Sequence, residues 1–542
     1  MTSRNDASRV ISSLGPAIRA AYRAGQEDEA LEPIIQVDAA GRPVGRIGTG
    51  DVVIFYDIRG EREIEITQSL TDPDFPHFQI EKDLNLHFVT MIEYGPKLRA
   101  KAAFAKEGTL ANTLVEVLSS ARLRVSKIAE SEKAAHIGFF MNGKSSAIFP
   151  GEERIIVPSP EGLSHHDQKP EMSAAEVADA ILAKIGDPGV PLIIANFANV
   201  DVVGHIENRA AIIRAVETVD TQLGRVAEAA AQAKATLIVT ADHGTVEEWL
   251  YPDGLANTGH TGNPVPFILA DFSLDLPAGI VLRPSGELSD VAPTVLDLLD
   301  LNVPPEMTGR SLLGQRPARV AKRKKIVLLI LDGWGMRSER EGNLIAQSAT
   351  PRFDALWSQY PCALLASSGE AVGMPAGTVG NSEAGHLHLG AGRRVLLDRV
   401  RIDQAVANGS FFSNEVFLQA LRTARETRRR LHLMGIISHY SSHGTITHLF
   451  ALLKLAKEAG LSDVYVHGFI GRRGEKPESG ALYVEKVEET CRALGVGKVV
   501  TVLGRYWSLD REENWDRIEK AYRALVHGEG APAGTFRSPI RK

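Results

Sequence analysis

Six acidic and imidazole side chains and one serine have the types needed to hold divalent cations and activate an alcohol. Asp201 and His205 lie four apart, Asp242 and His243 are adjacent in Ala-Asp-His-Gly, His260 sits in Gly-His-Thr, and Asp332 opens Asp-Gly-Trp-Gly. A helix would put Asp201 and His205 on one face, and a loop would still let them converge. Asp and His together suit Mn²⁺, Zn²⁺ or Mg²⁺, with imidazole nitrogen weighing against Mg²⁺ alone. Two such ions about 4 Å apart clamp the attacking and leaving oxygens of a phosphoryl transfer. The alcohol is Ser382, between Asn381 and Glu383 in the glycine-rich run from Met374 to Arg393. That run reads as a sharp turn presenting the hydroxyl, which needs a base or a metal to become nucleophilic. Singly each signal is weak: a lone histidine is usually a hydrogen-bonded structural residue, and a glycine-rich turn can carry an incidental serine. Their weight comes from where the chain places them.

Leu192 to Phe197, Thr236 to Thr240 and Ile326 to Leu331 are continuous apolar runs of buried-strand type, and each ends directly before a candidate ligand. Open α/β sheets bind ligands at that edge. Val265 to Leu269 is the strand after His260, and Ile137 to Met141 reads as another, with Lys133 just ahead of it as a phosphate-binding candidate. Helices are expected over Thr109 to Ala121, Ala174 to Ile185, Arg209 to Gln232 and Leu288 to Leu301. Around this block, Ala7 to Tyr22 reads as a helix and Val52 to Ile58 and Leu86 to Tyr94 as strands. Helix Glu415 to Thr427 and strands Leu431 to Ile437, Val464 to Phe469 and Val499 to Leu503 follow. Arg59 and Arg62, three apart past a strand end, form a plausible anion clamp. His443, Arg472, Arg473, Arg505 and Arg511 lie in the last part of the chain. The alternation of strand and helix predicts an α/β fold. Gln315 to Lys325 reads as a basic, solvated linker.

The 542 residues are enough for two large domains, and the 44% hydrophobic content is enough for sizeable cores. A net charge of −6 argues against general nucleic-acid binding, so no nucleic-acid partner is expected. Two cysteines, Cys362 and Cys491, exclude a disulfide framework and fit a reducing compartment. No apolar run reaches the ~18 residues that span a membrane, and Met1 to Val10 lacks a signal-peptide core. A cytoplasmic protein without membrane association is expected.

At this point the motifs resemble a family, the cofactor-independent phosphoglycerate mutases of the alkaline phosphatase superfamily. The matching pieces are LDGWG (331–335), GNSEAGH (380–386), GAGR (390–393), NFANVDVVGH (196–205), TADHG (240–244), HTGNPVPF (260–267), PEMSA (170–174) and GRYWSLDRE (504–512). The resemblance implies an α/β chain of two domains: an alkaline-phosphatase-like metal domain with a central, mostly parallel sheet flanked by helices, and a second α/β substrate domain. It also implies an isomerase of glycolysis and gluconeogenesis that interconverts 3- and 2-phosphoglycerate through a phosphoserine, acting as a monomer on a small phosphorylated acid. One metal would be held by Asp201, His205 and His260, the other by Asp332, Ser382, Asp242 and His243. Mn²⁺ is the first choice, with Zn²⁺, Co²⁺ or Mg²⁺ as alternatives. Ser382 would take the phosphoryl group and Lys133 would stabilise its charge. Arg59 and Arg62 would grip the substrate phosphate, and His443, Arg473, Arg505 and Arg511 the glycerate part.

The order of the pieces departs from the family. LDGWG opens those proteins and PEMTG closes them. Here PEMTG (305–309) precedes the linker and LDGWG follows it, so the chain reads as a circular permutant. The metal domain would then be continuous over 126–404, and the substrate domain would be assembled from 1–125 and 405–542. Departures within motifs gather in the substrate domain. Gly474 stands where the family has an aspartate that acts on the glycerate. Asp57 to Arg62 keep only the arginines of Asn-Phe-Arg-Pro-Asp-Arg. Tyr440-Ser441 replace a glycine pair, and Ala134 replaces a tyrosine. This pattern admits an alternative, a metal-dependent phosphatase or phosphomutase acting on another small phosphorylated or phosphonylated acid. A third reading, a retired relative used for binding, conflicts with the cost of keeping unused buried carboxylates.

Overall fold

The computed structural model describes residues 14–105, 108–160, 162–163, 165–251, 253–273, 280–314, 325–439, 441, 443–471, 476 and 478–533. Arg472, Arg473, Gly474, Tyr440, residues 7–13 of the first expected helix and residues 315–324 of the expected linker lie outside the described residues. The chain divides into two compact units, one of residues 1–106 with 398–542 and one of residues 107–397.

The unit of residues 107–397 is built on an eight-stranded sheet. Its strands run, edge to edge, Ser285–Glu287, Cys362–Ala366, Val265–Asp271, Thr236–Thr240, Ile326–Leu331, Leu192–Phe197, Val125–Glu130 and Glu152–Val157. The last five are mutually parallel, and Val265–Asp271 is antiparallel to both neighbours. Ile326–Leu331 is wholly buried, as an apolar run in the middle of a parallel sheet should be. Helices Ala174–Ile185 and Arg209–Gln232 pack on each other and add their apolar faces to the same core.

The other unit carries a second eight-stranded sheet. Its order is Ala531–Pro532, Ile34–Ile35, Lys498–Gly504, Val464–Ile470, Leu431–Ile436, Val52–Phe55, His87–Ile92 and Lys101–Phe104. All neighbours are parallel except Ile34–Ile35 against Lys498–Gly504. Strands from the two ends of the chain therefore interleave in one sheet.

Four expectations need correction. The apolar residues Ile137 to Met141 are not a strand: His136–Phe140 form a helical turn closed by Met141 N–H to His136 O at 3.0 Å. A five-residue apolar run carries no period that separates the two states, and here the turn packs against helix Ser382–Ala391. The serine run is not a turn throughout, because Ser382 opens that helix. The division between units falls before residue 107 and after 397, rather than at 125/126 and 404/405. Leu114, Val115 and Leu118 of helix Leu114–Ser120 are buried in the core around Ile326–Leu331, while Ile402 joins the other core. Helix Leu288 to Leu301 resolves into a turn, Leu288–Asp290, and a helix, Val291–Leu298.

Candidate metal centre

Four adjacent strands deliver the cluster. In sheet order, Thr236–Thr240 leads to Asp242 and His243, Ile326–Leu331 to Asp332, Leu192–Phe197 to Asp201 and Val125–Glu130 to Lys133. Parallel neighbours lie about 4.8 Å apart, so side chains at their carboxyl ends meet. The edge is braced by backbone: Asp332 N–H donates to Phe197 O at 3.1 Å and Asp201 N–H to Asp332 O at 3.2 Å. Asp201 rides on the short helix Asn199–Gly204, which ends at His205. His260 enters on a loop tied to the Asp242 loop by Thr261 N–H to Gly244 O at 3.0 Å.

Ser382 arrives from a different segment. Asn381 caps its helix, accepting Ala384 N–H at 2.8 Å. Two glycines let the helix sit close: a Cβ at Gly385 would fall 2.6 Å from Asp242 Cβ, and one at Gly390 2.0 Å from Met141 O. The expected turn and the observed helix start share these small residues, which is why composition alone misleads here.

Lys133 Nζ is the hub. It donates to Asp201 Oδ2 at 2.6 Å, Asp332 Oδ1 at 2.7 Å and Ser382 Oγ at 2.7 Å. Ser382 Oγ also lies 2.9 Å from His243 Nε2 and 3.2 Å from Asp332 Oδ1. Asp201 Oδ1 is 3.2 Å from both His205 Nε2 and His260 Nε2. The far nitrogens of these rings are oriented by carbonyls, His205 Nδ1 by Thr258 O at 2.8 Å and His260 Nδ1 by Gly380 O at 2.9 Å. All the predicted residues of this cluster, Ser382, Lys133, Asp201, His205, His260, Asp332, Asp242 and His243, are therefore brought together.

The charges do not balance within the cluster. Three buried carboxylates, Asp201, Asp242 and Asp332, face one lysine. Burial works against the Lys133 ammonium, but Asp332, Asp201 and Asp242 outweigh it and hold the group above its usual range. Burial and the neighbouring Asp242 charge push the Asp332 carboxyl up. Asp201 Oδ1 and Asp242 Oδ2 are buried and accept no hydrogen bond. Orphaned buried carboxylate oxygens are costly, and cations would satisfy them. Three sets of side chains bring ligand atoms close enough to hold one: Asp201, His205 and His260; Asp201, His243 and Asp332; and Asp242, Asp332 and His386. The residues present fit divalent metal ions.

His386 was missed in the sequence. It lies one helical turn after Ser382, with Nδ1 2.8 Å from Ser382 O and 3.3 Å from Asp242 Oδ2, and Nε2 3.0 Å from Asn196 Nδ2. Asn196 in turn donates to Asp332 Oδ2 at 2.7 Å. The i, i+4 spacing of Ser382 and His386 was the available signal, hidden by reading the segment as a turn.

In the other unit, the predicted substrate residues also follow strand ends. Arg59 and Arg62 come after Val52–Phe55, His443 after Leu431–Ile436, and Arg505 and Arg511 after Lys498–Gly504. Arg59 and Arg511 both reach Glu61 Oε2, at 3.4 and 3.0 Å. Arg62 donates to Leu509 O at 3.2 Å, and Arg505 Nε lies 3.0 Å from a Glu29 carboxylate oxygen.

Residues 37–303 match the Metalloenzyme superfamily, and residues 402–541 match the family described as the BPG-independent PGAM N-terminus. Proteins named 2,3-bisphosphoglycerate-independent phosphoglycerate mutase are similar. The one from Moorella thermoacetica is 45% identical over 303 residues, covering 56% of this chain and 57% of the relative. Those from Thermomicrobium roseum and Desulforudis audaxviator are 43% and 44% identical, covering 57% and 58% of their own lengths. The chain thus spans a little over half the length of the curated relatives it matches. A solved structure of Leishmania mexicana phosphoglycerate mutase at low cobalt concentration matches with a TM-score of 0.37 and 27% identity over 51% of this chain and 53% of that one.

Proposed function

We propose, for a chain that belongs to the family of cofactor-independent phosphoglycerate mutases, that it interconverts 3-phosphoglycerate and 2-phosphoglycerate through a phosphoserine at Ser382. The observation that carries this is the position of Ser382 Oγ, within hydrogen-bond distance of Lys133, His243 and Asp332 in a cluster of uncompensated carboxylates. Two divalent cations, Mn²⁺ in the first instance and Zn²⁺, Co²⁺ or Mg²⁺ as alternatives, would be held by Asp201, His205 and His260 and by Asp332, Ser382, Asp242 and His243. When bound, such ions lower the pKa of a hydroxyl and neutralise charge on a phosphoryl group.

The chain's own residues supply the rest. Lys133 Nζ favours the ionised form of Ser382 Oγ and then partners the phosphoryl oxygens. Ser382 Oγ bonds to phosphorus as the bond from phosphorus to the C3 oxygen breaks. The C2 oxygen of the glycerate then takes the phosphoryl group back, restoring Ser382. Arg59, Arg62, His443, Arg473, Arg505 and Arg511 bind the anionic groups of the acid. Water must be excluded while the phosphoserine exists, or hydrolysis competes.

A second reading, phosphatase or phosphomutase action on another small acid, is favoured by one feature. Glu61 pairs with both Arg59 and Arg511, and its single negative charge partly offsets their pull on a carboxylate or phosphate. Incubation with 3-phosphoglycerate and Mn²⁺, scoring 2-phosphoglycerate and free phosphate in the same tube, separates the two. The mutase reading requires the first product in large excess. Ser382→Ala is expected to abolish turnover while metal content and the thermal melt stay near wild type; undiminished turnover would remove Ser382 from the mechanism.

We also propose the permuted order. A match described as an N-terminus lies at residues 402–541, after the metalloenzyme match at 37–303, which supports it. A gene reordered so that residues 326–542 precede 1–314 should then yield an active protein. An inactive but folded product would count against the proposal.

A further inference from the structure

Asn196 is the only polar residue of strand Leu192–Phe197, and its side chain is fully buried. The strand runs parallel to Ile326–Leu331, with Asn196 opposite Ile330 and so close to Asp332. Both contacts of the side chain are made by one atom. Asn196 Nδ2 donates to Asp332 Oδ2 at 2.7 Å and lies 3.0 Å from His386 Nε2. Asn196 Oδ1 is buried and has no donor among the described residues. His386 is fully buried as well, with Nδ1 2.8 Å from Ser382 O. A hydrogen-bonded path therefore runs from Asp332 through Asn196 and His386 to the backbone of Ser382. The Ser382 hydroxyl lies 3.2 Å from the other oxygen of Asp332, Oδ1. All four residues belong to the unit of residues 107–397.

The donors and acceptors along this path fix the imidazole. An amide nitrogen only donates, so His386 Nε2 must accept. A carbonyl oxygen only accepts, so His386 Nδ1 must carry the proton. Turning the amide over would set Asn196 Oδ1 against the Asp332 carboxylate. Burial opposes a second proton on the ring, while contact with Asp242 and the Asp332 charge favour it and on balance raise the group. That proton would set Nε2–H against the Asn196 amide, and cations would neutralise the charges that favour it. A ring held in this form has no free lone pair. Of the three sets of side chains close enough to hold an ion, the one made of Asp242, Asp332 and His386 is therefore closed by hydrogen bonds. A merely structural asparagine would use both ends of its amide. This one leaves Oδ1 orphaned, at a cost, and spends both N–H groups on Asp332 and His386.

We propose that Asn196 and His386 are positioning residues of the metal centre and that His386 is not a ligand. Asn196 occupies Asp332 Oδ2, so that Oδ1 alone faces Lys133, Ser382 and a cation. His386, as the neutral Nδ1–H tautomer, ties the first turn of helix Ser382–Ala391 to that carboxylate. This rests on the two-metal reading of the preceding subsection. Partners that orient a ligand from behind typically carry about ten- to a hundredfold in metal affinity.

The test is Asn196→Leu in the full chain, treated with chelator and titrated with Mn²⁺ in a calorimeter. One of two ions should bind about ten- to a hundredfold more weakly, and the other within about threefold of the wild type. Two unchanged affinities, or an equal loss in both, overturn the proposal. So does a third Mn²⁺ that His386→Asn removes, because the imidazole would then be a ligand. The imidazole nitrogens of the wild-type chain loaded with Zn²⁺ are read by nitrogen NMR, with the His386 signals identified by their loss in His386→Asn. They should show a protonated Nδ1 and a bare Nε2. The reverse tautomer or a doubly protonated ring overturns the proposal, and this measurement decides alone should Asn196→Leu fail to melt cooperatively. Should the wild type bind no Mn²⁺, the two-metal reading falls by itself. The same nitrogens, read on the metal-free chain, then decide whether Asn196 and His386 are joined as proposed.

Discussion

Lys133 is the side chain on which the charge balance of the metal centre turns. It touches two carboxylates and the serine hydroxyl at once. Replacing it with methionine keeps much of the length but removes the only ammonium in contact with Asp201 and Asp332 among the described residues. Loss of one preorganised donor to a developing charge typically costs about 10²–10³ in kcat. Lys133→Met is therefore expected to lower kcat in that range under saturating Mn²⁺, with a smaller change in KM. A steady-state profile with kcat untouched would refute the assignment. Asp201, Asp242, His243 and Asp332 were visible in the sequence because they follow apolar strands, where a polar residue needs a reason. His386 was not, because its role depends on a helix that composition disguised as a turn.

At the scale of elements, helix Ser382–Ala391 is the piece that turns an ordinary serine into a candidate nucleophile. Its approach to the sheet edge is limited by Gly385 against Asp242. A methyl group there must displace the helix or the Asp242 loop. Gly385→Ala should reduce both bound Mn²⁺ and turnover, although alanine by itself favours helix. Metal analysis of the purified variant checks this, and full occupancy would show that the contact yields freely. The strands were legible because both faces of a parallel sheet are buried and the letters run apolar without a break. The His136–Phe140 turn was not legible, because five apolar residues fit either state and its packing partner lies far along the chain.

For the whole molecule, the uncompensated carboxylates make stability depend on cations. Ligands that bind only the folded state stabilise it by mass action, about 2.7 kcal/mol at a hundred times Kd. Adding Mn²⁺ to chelator-treated protein should therefore raise Tm by several degrees, with the rise absent in Asp242→Asn. An identical melt with and without Mn²⁺ would contradict a metal centre built on Asp201, Asp242 and Asp332. The interleaving of strands from both chain ends in the sheet of residues 1–106 and 398–542 also means that neither end segment carries that core alone.

The amino-acid order by itself determined which residues could do chemistry, that they follow buried strands, and which family the motifs resemble, because those properties reside in local pattern. Only the tertiary structure decided the order of strands in the sheet. That order places Asp332 between Asp242 and Asp201, brings Lys133 to all of Asp201, Asp332 and Ser382, and sets Asn196 against His386. These are pairings between residues 68 to 249 positions apart, and no local pattern encodes such long-range proximity.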